Sequence, residues 1–221
     1  TLLLIDPVMG DHGRIYRTYT PEMCRQLGAL AAEADVITPN LTEAALLLDE
    51  AYRAVPTRQA GVDQWLRRLS LDGARSVVIT GVSFTPGTVG AGCFDRRTGK
   101  VHFAMSAREE GAFSGTGDLF ASVLLGGLLR DETLADATAR AVDFVQKAIS
   151  RTLAAGTPIL DGVQFEGLLR ELLCSLRSSI AIAERGPVRA SSSSYPLFPA
   201  LDVPAAAGQD LPRHQAAAHM D

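Results

Sequence analysis

Phe113-Ser114-Gly115-Thr116-Gly117-Asp118-Leu119-Phe120 is a glycine turn that runs straight into an apolar helix, with one carboxylate at the junction. Gly115 and Gly117 have no Cβ, so the backbone there can take positive φ and bring successive N–H groups close to a charged ligand. A helix beginning at about Asp118 adds its own unpaired N–H groups and the positive end of its dipole, which favour phosphate oxygens. Asp118 fits poorly into simple anion binding, because a carboxylate beside a phosphate is repulsive. It fits proton abstraction from an attacking hydroxyl. The ordinary explanation is a helix cap, since Asp, Ser and Thr are frequent helix starters. The octapeptide supports both readings, and the rest of the chain decides between them.

Working outward, helical periodicity follows the turn over residues 118–129, 134–153 and 163–176, with Leu134, Ala137, Ala141, Phe144, Val145 and Ala148 forming one apolar stripe. Ahead of it, residues 88–94 and 101–105 flank a polar Asp95-to-Lys100 connection and predict a hairpin. Further upstream, apolar strands at 1–5, 35–38 and 76–80 alternate with helical segments at 21–34, 41–48 and 61–71. In the last of these Val62, Trp65, Leu66 and Leu69 share a face and Arg67 and Arg68 oppose it. Strands joined by connections this long argue for an α/β layered domain: a mostly parallel sheet with helices on both faces and a late hairpin. The chain opens on Thr1-Leu2-Leu3-Leu4-Ile5, already a strand, and reads as N-terminally incomplete. Residues 1–178 form the expected domain. Residues 179–221 carry a serine run, recurrent prolines and alanine triplets, and are expected to be a disordered tail holding His214 and His219.

A chain of 221 residues with 47% hydrophobic content can bury an ordinary single core. The formal net charge of −4 is mixed along the chain and gives no electrostatic reason to expect nucleic acid or an anionic membrane as partner. Cys24, Cys93 and Cys174 lack CxxC spacing and read as reduced core thiols of a cytoplasmic protein, with no zinc or disulfide framework indicated. No Walker A sequence is present, and Gly87, Gly90 and Gly92 lie by a hairpin with no helix following, which removes the dinucleotide fingerprint. His12 and His102 are the only histidines ahead of the tail, so no Ser-His-Asp set assembles.

Polar residues recur at one edge of the expected sheet. Asp6, Thr38, Asn40 and Thr80 each lie at or just beyond the carboxyl end of a strand, where open α/β sheets bind ligands. Asn40 and Glu43 have the spacing of a capping box, and the same spacing puts a carboxylate on the first helical turn where it could hold water around Mg²⁺. The residues alone leave both open. Asp6 and Asp11 bracket Pro7-Val8-Met9-Gly10, so both carboxylates could reach one cation and the phosphate attached to it.

Taken in order, Asp6-Pro7-Val8-Met9-Gly10-Asp11, Ile37-Thr38-Pro39-Asn40 with Glu43, Thr80-Gly81 and Gly115-Thr116-Gly117-Asp118-Leu119-Phe120 resemble the pyridoxal kinases of the ribokinase-like superfamily. The resemblance covers about residues 1–176. It implies an enzyme that transfers phosphate from ATP to the 5′-hydroxymethyl group of pyridoxal, pyridoxine or pyridoxamine in vitamin B6 salvage. It implies Asp118 as catalytic base and the N–H groups of Gly115, Thr116 and Gly117 as anion hole. Asp11, Asn40 and Glu43 would serve Mg²⁺ and the ATP phosphates. Asp6, Thr38 and Thr80 would match a monovalent-cation site for K⁺ or Na⁺, with Thr80 and Gly81 bordering the nucleotide. The family's N-terminal portion, which supplies much of the vitamer pocket and part of a homodimer contact, has no counterpart here, so the chain alone is expected to be inactive or nearly so. Hydroxymethylpyrimidine kinase of the thiamine pathway is the nearest alternative, and a non-catalytic nucleotide-binding remnant is a third.

Overall fold

The computed structural model describes residues 1–111, 113–158 and 161–172. The expected tail, Cys174 and the last part of the expected 163–176 helix lie outside the described residues.

Along the chain come β1 (Leu4–Ile5), the short pair β2 (Gly10–Asp11) and β3 (Arg14–Ile15), α1 (Pro21–Ala32), β4 (Val36–Ile37), α2 (Leu41–Leu47) and α3 (Gln59–Leu69). Then follow β5 (Ser76–Val82), β6 (Thr88–Asp95), β7 (Lys100–Ala107), α4 (Thr116–Leu128) and α5 (Leu134–Ala154). Five strands make one sheet in the order β1-β4-β5-β6-β7. β1, β4 and β5 run parallel, and β6 and β7 add as an antiparallel hairpin. The sheet is therefore mixed, parallel over the half that carries Asp6, Thr38 and Thr80.

The side-chain alternation of the strands divides the core in two. Ile5, Ile37, Val77, Ile79 and Phe94 face α1, α2 and α3, where Ala31, Ala44, Val62, Trp65, Leu66 and Leu69 meet them. Leu4, Val36, Val78, Ala91 and Cys93 face the other way, against Phe120 and Leu124 of α4 and Ala137, Ala141 and Phe144 of α5. Burial on both sides explains why Val77-Val78-Ile79 reads as an unbroken apolar run. Each such aliphatic or aromatic side chain contributes about 1.5–3 kcal/mol on leaving water.

Local chemistry sets most of the boundaries. Thr20 caps α1, its Oγ1 accepting from Met23 N at 3.2 Å, with Pro21 in the first turn where no N–H is needed. Arg75, ahead of β5, is buried and ties two helix ends together: its Nε donates to Leu69 O at 2.7 Å and its Nη1 to Ala31 O. Both carbonyls lie near helix C-termini, where helical N–H partners run short; Ala31 O also accepts from Ala34 N at 3.2 Å. Two expectations are corrected. Cys24 is only half-buried and is not a core thiol, whereas Cys93 is buried. The helix expected from residue 163 starts later: a short 3-10 turn spans Glu166–Leu168, and residues 169–172 follow as helix. Gly162, with φ of 79°, and Gly167 interrupt helical propensity in that stretch. Among the described residues, no helix is long and apolar enough to cross a membrane.

Candidate active site

Parallel strands that end together bring their following residues together. Asp6 leaves β1, Thr38 leaves β4, and Thr80 lies near the end of β5. Thr38, buried, donates from Oγ1 to Asp6 Oδ1 at 2.8 Å. Asn40 and Thr80 form a parallel bridge beyond the end of β4, with Thr80 N donating to Pro39 O at 3.0 Å. Gly81 sits where the β5–β6 register shifts, at φ of 72°, with open space where a side chain would be.

The glycine turn arrives at the same edge from the far end of the chain. Gly115 is the N-cap of α4 at φ of 81°, a left-handed conformation, and supplies no side-chain cap. The cap that the sequence suggests for Asp118 is not formed: Asp118 lies exposed in the first turn of α4. Thr116 Oγ1 donates back to Phe113 O at 3.2 Å, which closes the turn. A Cβ on Gly117 would stand 4.0 Å from Asp6 Oδ2, so the turn and the end of β1 are neighbours. Burial pushes the Asp6 carboxyl above its ordinary value, the Thr38 hydrogen bond opposes this, and the negative charge of Asp118 adds to it.

Asp11 lies on the β2–β3 hairpin, whose two turn residues, His12 and Gly13, have φ of 50° and 76°. That pair of positive φ values is the hairpin conformation that matches strand twist. Asp11 is exposed; His12 N donates to its Oδ1 at 2.7 Å, and His12 Nε2 stands 3.6 Å from its Oδ2.

Asn40 and Glu43 do form the capping box. Asn40 Oδ1 accepts from Thr42 N and Glu43 N at 2.8 and 3.0 Å, and Glu43 Oε2 accepts from Asn40 N at 2.8 Å. Glu43 is 3% exposed, and its second oxygen accepts from Met9 N at 3.0 Å. It does not face an open crevice. Burial raises its carboxyl to about 7 against the lowering effect of those N–H donors.

The structure thus gathers Asp6, Thr38, Gly117 and Asp118 at one place, with Asn40 and Thr80 paired nearby. Glu43 is turned inward beneath the Asp6–Asp11 loop. Sequence reading missed Tyr16, whose hydroxyl is raised first by burial and then by the charges of Asp11, Glu43, Asp6 and Asp118, which places it among the acids. It also missed Thr42. No spacing rule marks either residue, because both reach the site through tertiary contacts. Among the described residues, no three His, Cys, Asp or Glu side chains converge on a metal position. Mg²⁺ commonly uses one or two carboxylates with phosphate and water oxygens, so the all-oxygen donors here fit a cation carried by a phosphate ligand. Asp118 also lines an open cleft of about 500 Å³, together with Gly115, Leu119, Val163, Phe165 and Glu166.

The phosphomethylpyrimidine kinase family profile matches residues 1–161. The chain belongs to that family. Its relatives sit with the pyridoxal kinases of the ribokinase-like superfamily. The pyridoxine/pyridoxal/pyridoxamine kinase of Bordetella avium is 31% identical over 159 residues, covering 70% of this chain and 51% of that protein. The crystal structure of pyridoxal kinase from Lactobacillus plantarum is 32% identical with a TM-score of 0.72, covering 80% of this chain and 63% of that one. Pyridoxal kinase from Leishmania donovani, solved with ADP and pyridoxamine, is 28% identical with a TM-score of 0.60, covering 69% of this chain and 50% of that one. The fold is ribokinase-like. The chain spans about half the length of the curated relatives it matches, from 36% to 61%.

Proposed function

We propose that this chain is the nucleotide-binding part of an ATP-dependent kinase that phosphorylates the 5′-hydroxymethyl group of a vitamin B6 aldehyde, alcohol or amine. The observation that carries the reading is the exposed Asp118 one residue beyond Gly117, itself beside Asp6 at the end of a parallel strand. Relatives named as pyridoxal kinases, one of them solved with ADP and pyridoxamine, support the choice of nucleotide and acceptor.

In this reading the N–H groups of Gly115, Thr116 and Gly117 line the γ-phosphate and hold the charge that grows on its oxygens. Asp118 takes the proton of the acceptor hydroxyl as that oxygen bonds to phosphorus and the bond to the departing ADP oxygen breaks. Asp11 would hold Mg²⁺ with the ATP phosphates, and the cation would supply charge neutralisation there. Asp6, Thr38 and Thr80 offer the oxygen donors of a monovalent-cation site, and Thr80 and Gly81 border the nucleotide. Asn40 serves this arrangement through its cap and its bridge to Thr80.

The family profile's own description favours a second acceptor, hydroxymethylpyrimidine or its phosphate. Pyridoxal and hydroxymethylpyrimidine both present a hydroxymethyl group on a six-membered aromatic nitrogen ring, so the same base serves either; the phosphate ester would accept through a phosphate oxygen, with no hydroxymethyl proton to remove. Side-by-side assays of ATP-dependent phosphorylation of pyridoxal, pyridoxine, pyridoxamine and hydroxymethylpyrimidine test the proposal. Turnover confined to hydroxymethylpyrimidine would replace it with the second reading.

A further inference from the structure

The Asp6–Asp11 loop carries two of the acids in the proposed site and yet has almost no regular structure of its own. β2 and β3 are two residues each, and Val8 is exposed. Pro7, Met9 and Gly10 are nonetheless buried, so the loop's position must come from groups packed against it.

Three side chains around the start of α2 reach this loop and the β2–β3 turn that continues it, each at a different backbone atom. Glu43 Oε1 accepts from Met9 N at 3.0 Å. Asn40 Nδ2 donates to Gly10 O at 2.8 Å. Thr42 Oγ1 accepts from Gly13 N at 2.9 Å. The Glu43–Met9 contact is buried and the other two are partly so: Glu43 is 3% exposed, Thr42 4% and Met9 1%. Asn40 and Glu43 also complete the capping box, so their rotamers are set by the helix start.

We infer that Asn40, Thr42 and Glu43 form a clasp that positions the acidic loop, and that Glu43 acts as a positioning residue and not as a cation ligand. Both oxygens of Glu43 accept backbone N–H groups, and Asn40 spends both ends of its amide on the cap and the loop. Each of these oxygens is already engaged by a backbone N–H. Thr42 strengthens the assignment: a cap needs nothing from its hydroxyl, which is committed to Gly13. What the clasp is for rests on the kinase reading. That it holds the loop does not.

Single-amide hydrogen exchange on the 221-residue chain, with MgADP titrations in parallel, tests the clasp in Thr42→Val and Glu43→Gln. Thr42→Val keeps the shape and removes one acceptor. Glu43→Gln turns one acceptor into a donor facing an N–H group. Exchange at Gly13 is expected to rise about tenfold or more in the first variant, and at Met9 or Asn40 in the second. The Val77–Ile79 amides should stay protected in both. MgADP affinity is expected to fall in both variants, without recovery when Mg²⁺ is raised.

Loop amides exchanging at the wild-type rate in Thr42→Val would overturn the clasp. Affinity restored by excess Mg²⁺ in Glu43→Gln would make Glu43 a metal ligand and overturn its assignment. Should Glu43→Gln expose the Val77–Ile79 amides through unfolding, Thr42→Val decides alone. Wild-type chain that binds no MgADP would count against the nucleotide reading, while the exchange data would still judge the clasp.

Discussion

Asp6 Oδ2 lies 4.0 Å from the point where a Cβ on Gly117 would stand, which joins the first strand of the sheet to the first turn of α4. A methyl group fits that gap. Gly117→Ala is therefore expected to leave the fold intact and to stabilise α4 by about 0.5–1 kcal/mol, while it fills the proposed γ-phosphate space and weakens MgATP binding more than MgADP binding. Gly115→Ala should do the reverse at the level of stability. Nothing lies within 4 Å of its Cβ position, but φ of 81° is left-handed, so a loss of about 1–2 kcal/mol is expected. Thermal denaturation with nucleotide titration separates the two effects.

Asp118 bears on Asp6 through charge. Removing that charge in Asp118→Asn should lower the Asp6 carboxyl titration. It should not return Asp6 to its ordinary value, because burial is the larger cause. Asp118 is exposed and caps nothing, so stability should change by no more than about 0.5 kcal/mol. A carboxyl NMR titration checks this, and an unchanged Asp6 would separate the two acids.

Stability should fall as pH rises from about 4.5 to about 7. Glu43 is raised from 4.5 to about 7 by burial, and Asp6 is raised as well. A carboxyl that holds its proton more tightly when folded contributes stability fully below its unfolded pKa and loses it as pH passes the folded one. The ceiling for Glu43 is about 3 kcal/mol. Asp35, lowered by Leu3 N–H and then by Arg96, acts in the opposite sense and only as pH falls through and below its ordinary 3.8. Urea denaturation across this range should show the decline, flattened in Glu43→Gln. An identical slope in that variant would remove Glu43 as its source.

Arg75→Ala should cost about 2–4 kcal/mol, since it strips the ends of α1 and α3 of buried donors to Ala31 O and Leu69 O. Chemical denaturation measures it. A loss below about 1 kcal/mol would show that water replaces the guanidinium without penalty.

Much of this architecture is written locally in the chain. Val77-Val78-Ile79 announces a doubly covered strand, Val62, Trp65, Leu66 and Leu69 announce the buried face of α3, and residues 88–94 and 101–105 announce the hairpin. The glycine turn and the strand-end residues Asp6, Thr38 and Thr80 were visible for the same reason: short motifs at predictable offsets. What stayed hidden depends on contacts between distant segments. The β2–β3 pair is too short for periodicity, so Gly10-Asp11-His12-Gly13 reads as a plain loop. Glu43 has one spacing for two tasks, and only its bond to Met9 N shows which way the carboxylate turns. Tyr16 and Thr42 have no local mark at all.

The measurement that bears most directly on the proposed function is MgATP-dependent formation of pyridoxal phosphate by this chain extended to the length of its relatives, run beside the 221-residue chain and the extended Asp118→Asn variant. The account predicts turnover by the extended protein, little or none by the shorter chain, and a loss of about 10²–10⁴-fold in the variant. Pyridoxal phosphate formed at the wild-type rate without the Asp118 carboxylate, or by the shorter chain at the rate of the extended one, would contradict it.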